Sequence, residues 1–307
     1  MLKPRALGRG DQVAIVAPAS PFRRDQFECG VTELERLGFC PVFDPRVFDR
    51  RGYVAGEAAA RADAIASAWR DDRVAALMVA RGGYGSVQVL PHLSVDLARR
   101  TRKVFIGYSD VTAILSFLTI QCGVACFHGP SVAGCLGRGE TGYDADSLVR
   151  AVTCAEPLGL LPAHGLETLK AGEASGVLLG GTLTQLVASL GTPFAFDPPE
   201  GYVLLVDEVG ERPYRLDRML TQLALAGILG RASAVVFGEL PGCDEPGGGP
   251  TACATVADVL RAFPGPVLFG LPTGHTTGPA MTVPLGVRAR IVAGSTPAVI
   301  VEEAAVE

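Results

Sequence analysis

The sequence has few of the features that mark a protein for a membrane, for nucleic acid or for an oxidising compartment. No stretch approaches the roughly 18 uninterrupted apolar residues of a spanning helix, and no signal-peptide core precedes the first predicted strand. The net charge is −5 without a basic block, which argues against nucleic acid. The eight cysteines include no Cys-x-x-Cys pair, which is typical of reduced thiols. We therefore expect a cytosolic protein with no membrane partner.

Histidine is also scarce, and the four in the chain are His92, His128, His164 and His275. No His-x-x-x-His pair or Cys/His cluster has the spacing of metal ligands, so we expect neither a metal nor a cofactor. The glycine-rich stretch 81–85 lacks the lysine of a phosphate-binding loop and does not read Gly-x-Gly-x-x-Gly. Its glycines are interpreted as letting bare backbone N–H groups approach a ligand closely.

What the chain does contain is a regular alternation of short apolar strands and helices. In the first half, this pattern predicts an α/β fold with a parallel sheet covered by helices on both faces. The second half is predicted to be β-rich, although it also contains helices. The segment 156–173 is irregular and contains proline, so we place the domain boundary there, with domains at 1–160 and 161–307.

The stretch that begins at Val104 carries the strongest functional signal. An apolar, strand-type run stops at Gly-Tyr-Ser-Asp, and a helix-compatible run follows at once. Ser109 would stand at the carboxyl edge of the sheet, as in a nucleophile elbow, although Val111 replaces the second glycine of Gly-x-Ser-x-Gly. The alternative is that Ser109 or Asp110 only caps the helix. The loop 81–85 also follows a strand, so its N–H groups could act with that of Asp110 as oxyanion donors.

A serine nucleophile needs a base and an orienting acid. His275 lies in a Gly/Thr-rich loop that packing of apolar side chains does not explain, so it is a candidate base. His128, at a strand end close after Ser109, is the other candidate for the base. Asp207 and Glu208 follow a buried strand and should also project at a sheet edge. The order Ser…Asp/Glu…His matches that of α/β-hydrolases, although triads recur in other orders on unrelated folds.

Several short stretches together resemble one known family. They read Val-Ala-Pro-Ala-Ser (16–20), Ala-Arg-Gly-Gly-Tyr-Gly (80–85), Gly-Tyr-Ser-Asp (107–110), Phe-His-Gly-Pro (127–130), Asp-Glu-Val-Gly-Glu-Arg-Pro-Tyr-Arg (207–215), and Gly-His (274–275) before Thr-Val-Pro-Leu-Gly (282–286). The chain resembles the LD-carboxypeptidases, serine peptidases that also include the microcin C immunity peptidases. The stretches follow the family's order from residue 11 to about 290, so the resemblance covers nearly the whole chain.

The resemblance implies an amidotransferase-like N-terminal α/β domain, a smaller β-rich C-terminal domain, a dimer, and a Ser-His-Glu triad without metal. It assigns the nucleophile to Ser109, the base to His275, and the oxyanion donors to the backbone of Gly83 and Asp110. The acid departs from the pattern, because the family's Glu-Asp reads Asp-Glu here. Register therefore favours Asp207 as the acid, and chemical identity favours the next residue, Glu208.

The resemblance implies a serine carboxypeptidase that cleaves an amide between an L-centre and a terminal D-residue. The expected substrate is a murein tetrapeptide that loses D-alanine during cell-wall recycling. Arg81, by charge and position, and Glu239 are predicted to contact it. One alternative is a peptidase that acts on a peptide-nucleotide antibiotic, although Trp69 is the only tryptophan that could face an adenine ring. Another is a catalytically impaired relative that only binds a ligand, because the acid position is altered.

Overall fold

The computed structural model describes all 307 residues. Its strands are β1 (Gln12–Val16), β2 (Cys40–Val42), β3 (Val74–Val79), β4 (Val104–Gly107), β5 (Cys126–His128), β6 (Gly159–Leu160), β7 (Glu167–Lys170), β8 (Gly172–Thr182), β9 (Tyr202–Asp207), β10 (Ala232–Gly238), β11 (Val267–Leu271), β12 (Val283–Leu285), β13 (Arg288–Ala293) and β14 (Ala298–Val301). Its α-helices are α1 (Arg24–Arg36), α2 (Ala58–Arg70), α3 (Val95–Thr101), α4 (Thr112–Ser116), α5 (Ala145–Thr153), α6 (Leu183–Ser189), α7 (Pro213–Leu225) and α8 (Ala252–Val259). None of these helices has the length and apolar character needed to cross a membrane.

The first sheet has six strands in the order β12-β5-β4-β3-β1-β2. The strands β1 to β5 run parallel, and β12 joins the edge antiparallel to β5. Strand β3 reads Val-Ala-Ala-Leu-Met-Val and is almost wholly buried, as expected of a parallel strand with helices on both faces. The predicted α/β class is confirmed.

The second sheet has eight strands in the order β6-β14-β13-β8-β9-β10-β11-β7. Its centre, β8 to β11, is parallel, and the flanking pairs are antiparallel. Helix α7 begins at a proline, which suits its first turn. Its buried face consists of the predicted apolar residues Leu216, Met219, Leu220 and Leu223, together with Pro213.

Two local expectations were wrong. The segment 156–173 is not irregular throughout, because it contains β6, β7 and the start of β8. Strands β6 and β7 form by antiparallel pairing with the distant β14 and β11, and local sequence does not encode such pairing. Helix α8 ends at Val259, whereas we expected an end near Phe263. The boundary near residue 160 stays a prediction, and β12 pairs across it.

The two sheets meet close to the turn after β4. The Thr182 N–H at the end of β8 donates a hydrogen bond of 3.0 Å to Thr112 Oγ1 in the first turn of α4. A Cβ on Gly181 would lie 2.5 Å from the same oxygen, so only glycine permits this approach. The carboxyl ends of β4 and β9 are therefore neighbours, although they belong to different sheets.

Candidate active site

Ser109 occupies a tight strand-to-helix turn. It lies two residues beyond the end of β4, and a 3-10 turn (Ser109–Val111) leads directly into α4. Its φ is +65°, one of three positive values among the non-glycine residues of the chain. A serine held in this conformation is the strained geometry of a nucleophile elbow. No side chain caps the turn, so neither Ser109 nor Asp110 has the capping role that was the alternative.

The Asp110 side chain connects this turn to the glycine loop. Its buried carboxylate accepts a hydrogen bond of 2.8 Å from the Ser86 N–H, and the Ser86 hydroxyl donates back to the Asp110 carbonyl. Burial raises the pKa of Asp110 above its ordinary value. The buried Arg61 guanidinium holds the same loop through the Gly85 carbonyl, at 2.8 Å. The Asp110 N–H lies at the start of a helix, where backbone donors have no intrahelical acceptor.

The peptide between Gly82 and Gly83 lies beside the serine. A Cβ on Gly82 would be 2.9 Å from the Ser109 Cβ and 3.2 Å from its Oγ. The Gly82 carbonyl accepts from the Ser20 N–H at 3.2 Å. In a trans peptide the N–H points opposite to the carbonyl, so the Gly83 N–H points away from Ser20. No protein acceptor takes this N–H, which leaves it free for an oxyanion.

Asp207 and His275 form a two-point contact. His275 donates from Nδ1 to Asp207 Oδ2 at 2.8 Å and from its backbone N–H to Oδ1 at 3.0 Å. The Thr182 hydroxyl adds a third donor to Oδ2 at 3.2 Å. A Cβ on Gly274 would lie 2.5 Å from Asp207 Oδ2, so this glycine lets the loop backbone reach the carboxylate. The Asp207 carboxylate thus reaches His275 because the loop backbone comes close to it.

The ionisation of the pair follows from these contacts. Burial would raise the pKa of Asp207, but the hydrogen bonds and positive charge of His275 outweigh it, and the pKa lies below its ordinary value. Burial lowers the pKa of His275, yet the hydrogen bond to Asp207 and its charge raise it overall. The His275 ring also packs against Tyr108, with ring centroids 5.0 Å apart. The carboxylate therefore stays ionised, and the imidazole is held in the tautomer with a proton on Nδ1.

Glu208 faces away from this pair. Its Oε2 accepts hydrogen bonds from the Thr184 N–H at 2.9 Å and the Thr184 hydroxyl at 2.7 Å, in the first turn of α6. A carboxylate at this position accepts hydrogen bonds from the free N–H groups of the helix start, and the helix dipole stabilises its negative charge. Burial raises the pKa of Glu208. The neighbouring carboxylates Asp207 and Glu208 thus point to different sides of the strand, as the alternation of side chains requires.

His128 lies behind Asp207. The Thr273 hydroxyl gives its hydrogen to the Met281 carbonyl at 2.9 Å, so it accepts from His128 Nδ1 at 3.1 Å. The other nitrogen, Nε2, is 3.8 Å from Asp207 Oδ2 and has no hydrogen-bond partner. Burial lowers the pKa of His128 to about 4, so the ring is neutral. Because its side chain is fully buried, His128 has no access to a substrate.

A cavity of about 470 Å³ opens in front of His275 and Tyr108. Arg81 lines it, next to Arg23 and Arg138. Glu239, the other residue predicted to contact substrate, does not line it and instead holds the histidine loop. Its Oε2 accepts from the N–H and the hydroxyl of Thr277, at 2.8 and 2.7 Å.

The Ser109 hydroxyl and the His275 imidazole share no hydrogen bond in this structure. Ser109 Oγ makes no hydrogen bond, and the hydrogen bonds that His275 donates from its backbone N–H and Nδ1 both go to Asp207. Such a bond is often long in an unliganded enzyme and tightens when substrate binds. No group of three or more His, Cys, Asp or Glu side chains is placed to hold a metal ion.

Sequence reasoning missed several residues of the site. Thr182 could have been found, because it stands opposite Asp207 in the β8–β9 register and a buried carboxylate needs donors. Gly274 carries a signal too, since a glycine before a functional histidine suggests a close backbone approach. Arg138 has no distinguishing local signal.

The carboxylate–imidazole pair lies beside the turn that carries Ser109, because the His275 ring packs on Tyr108. A family model for the LD-carboxypeptidase N-terminal domain matches residues 13–129, and one for the LD-carboxypeptidase C-terminal domain matches residues 175–291. The chain is 36% identical to a Streptomyces coelicolor relative, over 95% of this chain and 93% of the relative. It therefore belongs to the LD-carboxypeptidase family and is a peptidase of that family.

Two further comparisons bear on function and fold. The murein tetrapeptide carboxypeptidase of Pseudomonas aeruginosa is 30% identical, over 86% of this chain and 88% of its own length. Among solved structures, the muramoyltetrapeptide carboxypeptidase of Oxalobacter formigenes superposes with a TM-score of 0.82 at 27% identity, covering 94% of this chain and 98% of the other. The microcin C7 self-immunity protein MccF gives a TM-score of 0.92 at 23% identity, with 99% of both chains covered, which shows a shared fold.

Proposed function

We propose that this protein is a serine-type LD-carboxypeptidase that releases the terminal D-alanine of murein tetrapeptides. Ser109 is the nucleophile, His275 the general base and Asp207 the orienting acid. The two-point hydrogen bonding of Asp207 to His275 is the observation that carries the proposal. It fixes the imidazole with Nδ1 protonated and leaves Nε2 to accept a proton, which is what a serine nucleophile requires.

The reaction follows from this arrangement. When Ser109 Oγ comes within hydrogen-bond reach of His275 Nε2, the base takes the hydroxyl proton and the oxygen attacks the scissile carbonyl carbon. The N–H groups of Gly83 and Asp110 stabilise the oxyanion that develops. His275 then gives its proton to the nitrogen of the departing D-residue as the C–N bond breaks. Water hydrolyses the acyl-enzyme by the same proton transfers in reverse order.

Arg81 is proposed to pair with the terminal carboxylate of the substrate. It follows β3 and lines the cavity in front of His275. An arginine can bind a carboxylate through two parallel hydrogen bonds, which would select peptides with a free carboxyl terminus. Glu239 would then act indirectly, by positioning the His275 loop through Thr277.

The named relatives support the substrate class. Two proteins aligned over most of their length carry the names murein tetrapeptide carboxypeptidase and muramoyltetrapeptide carboxypeptidase. A role in cell-wall recycling would place the enzyme in the cytoplasm, and we propose that it acts as a homodimer without a cofactor or metal.

One observation favours a second candidate, hydrolysis of an acyl-sulfamate peptide nucleotide as in microcin C immunity. Tyr84 belongs to the glycine loop, and its ring lies 5.6 Å from that of Tyr53 between centroids; Tyr53 and Tyr84 are 68% and 44% exposed. Exposed aromatic rings can stack on a nucleobase. One MccF structure was determined with aspartyl sulfamoyl adenosine bound. The third alternative, a catalytically impaired relative, rested on the altered acid position, and the hydrogen bonds between Asp207 and His275 support an active enzyme instead.

The decisive test is mass spectrometry of a murein tetrapeptide and an aspartyl sulfamoyl adenosine incubated with wild-type protein and with Ser109→Ala. We expect release of D-alanine by the wild type and a loss of roughly 10⁴–10⁶ in kcat for Ser109→Ala. Circular dichroism should show that the variant is folded. Equal turnover by both proteins would end the serine mechanism, and cleavage of the aspartyl sulfamoyl adenosine alone would favour the second candidate.

A further inference from the structure

The cavity in front of His275 is strongly cationic. Arg23, Arg81 and Arg138 all line it, and none of its lining residues is acidic. The protein as a whole carries a net charge of −5, so this concentration of positive charge is local. One arginine is enough to bind one terminal carboxylate, and two remain to be explained.

The three guanidinium groups differ in how they are engaged. Arg23 is paired with Asp25 on the exposed first turn of α1. Arg81 donates one hydrogen bond of 3.0 Å to the Pro21 carbonyl and keeps its other donors. Arg138 makes no hydrogen bond and no ion pair through its side chain. Arg138 is therefore the charge in this cavity with all of its donors available.

The backbone that carries Arg138 is nevertheless firmly placed. The N–H groups of Val132 and Ala133 donate to the Val79 and Ala80 carbonyls, at 3.0 and 2.8 Å, beside Arg81. On the other side, a Cβ on Gly137 would lie 2.4 Å from the Gln26 carbonyl of α1. The segment 130–142 is thus wedged between the end of β3 and α1.

Arg138 also lies within electrostatic range of the catalytic side of the cavity. Burial raises the pKa of Tyr108, and the positive charge of Arg138 opposes that rise. Tyr108 is the residue whose ring packs on His275. A free guanidinium on a fixed backbone, in a cavity without acidic residues, is suited to bind an anionic group of a ligand.

We propose that Arg138 forms a second carboxylate subsite, so that this enzyme prefers peptides with a carboxylate in addition to the terminal one. The inference rests on the proposed peptidase function and names the substrate class of the same site. In a murein tetrapeptide this group is either the α-carboxylate of the γ-linked D-glutamyl residue or the side-chain carboxylate of diaminopimelate. Both groups present the same chemistry to the arginine.

The experiment compares three peptides, L-Ala-γ-D-Glu-diaminopimelyl-D-Ala, its D-glutamyl α-amide, and the analogue with L-lysine in place of diaminopimelate. We expect the wild type to prefer the peptide that retains the recognised carboxylate. Arg138→Met should lower kcat/KM on that peptide by about 10-fold to 100-fold, mainly through KM, because a charged hydrogen-bonding partner is lost. If the wild type cleaves the α-amide more slowly, the D-glutamyl carboxylate binds Arg138. If it cleaves the L-lysine analogue more slowly, the diaminopimelate carboxylate binds Arg138.

Two further variants sharpen the test. Arg138→Lys should retain part of the preference, because it keeps the charge and loses the planar fork. Arg73→Met removes an exposed arginine outside the cavity, where it is paired with Asp71, and should leave all three rates as in the wild type. A similar loss on all three peptides in Arg138→Met, or a wild type without preference, would overturn the subsite.

Binding separates this inference from the proposed function. Calorimetric titration of the same peptides into Ser109→Ala and into Ser109→Ala/Arg138→Met measures the subsite without turnover. A preference that disappears with Arg138 supports the subsite, and equal Kd values in the two proteins refute it. Failure of the wild type to hydrolyse any peptide would refute the peptidase proposal instead.

Discussion

The two sides of the site are built in different ways. On the side of the proposed nucleophile Ser109 (the nucleophile side), backbone geometry determines the arrangement, through the positive φ of Ser109 and the absence of a Cβ at Gly82. On the side of the proposed acid and base (the acid–base side), buried hydrogen bonds determine it, through Asp207 and its donors on His275 and Thr182. On the nucleophile side, substitutions that add atoms should therefore lower activity. On the acid–base side, substitutions that keep the shape of a side chain but change its charge or its hydrogen-bonding groups should lower activity.

The largest expected effect is on the acid–base side. Asp207→Asn keeps the shape of the side chain but removes its charge and one acceptor, so the Nδ1-protonated tautomer of His275 loses its support. We expect kcat on the tetrapeptide to fall by roughly 10³–10⁴ while KM changes little. Steady-state kinetics at one fixed pH measure the effect.

The matched control is the adjacent carboxylate. Glu208→Gln should lower kcat far less and instead cost about 1 kcal/mol of stability, because Glu208 accepts hydrogen bonds at the start of α6. Thermal unfolding monitors that loss. If Glu208→Gln were the more damaging change to kcat, the acid would have to be reassigned to Glu208.

A smaller effect is expected on the nucleophile side. Gly82→Ala introduces a Cβ 2.9 Å from the Ser109 Cβ, so the serine turn and the loop must separate by a few tenths of an ångström. Misplacement of a reacting group by about 1 Å can cost about 10²-fold in rate, and for this smaller separation we expect a loss in kcat of up to about that factor. Gly294→Ala adds a methyl group with no atom within 4 Å and should retain full activity. Wild-type kcat in Gly82→Ala would show that this approach is not needed for catalysis.

The smallest effect is a shift in pH dependence. The base must be neutral, so kcat/KM should rise with pH through the pKa of His275, which lies above its ordinary value of 6.5. Asp207→Asn removes the hydrogen bond and charge that raise this pKa, and burial remains to lower it. The acid limb of the residual activity should therefore move to lower pH. A limb that stays at the wild-type position in profiles between about pH 5 and 9 would contradict this coupling.

Sequence patterns predicted the parts of the fold that local periodicity encodes. The parallel strands, the amphipathic α7 and the turn at Ser109 all follow from apolar spacing and an abrupt strand end. Strands β6 and β7 were missed because they are short edge strands with distant partners. Leu160 of β6 pairs with Ile300, and Thr168 of β7 pairs with Leu268. Pairing across that distance has no local signature.

The same division applies to the candidate site. The side of β9 on which Asp207 lies follows from strand alternation, and this places it, not Glu208, against His275. The packing of Tyr108 on His275 and the cationic cavity could not be predicted, because they join segments distant in sequence. Arg138 is one of 27 Lys and Arg residues, and only its position in three dimensions distinguishes it.

The strand β12 has a consequence for exchange of gene segments between relatives. The loop that carries His275 leaves β11 in the second sheet and enters β12 at the edge of the first, antiparallel to β5. A chimaera joined near residue 160 would set a foreign β12 against the native β5 and would stretch or slacken the histidine loop between two parents. Chimaeras that fold should instead inherit β12 from the same parent as the first half. A foreign β12 that fits β5 poorly would expose the backbone groups of that edge, and an exposed strand edge promotes aggregation.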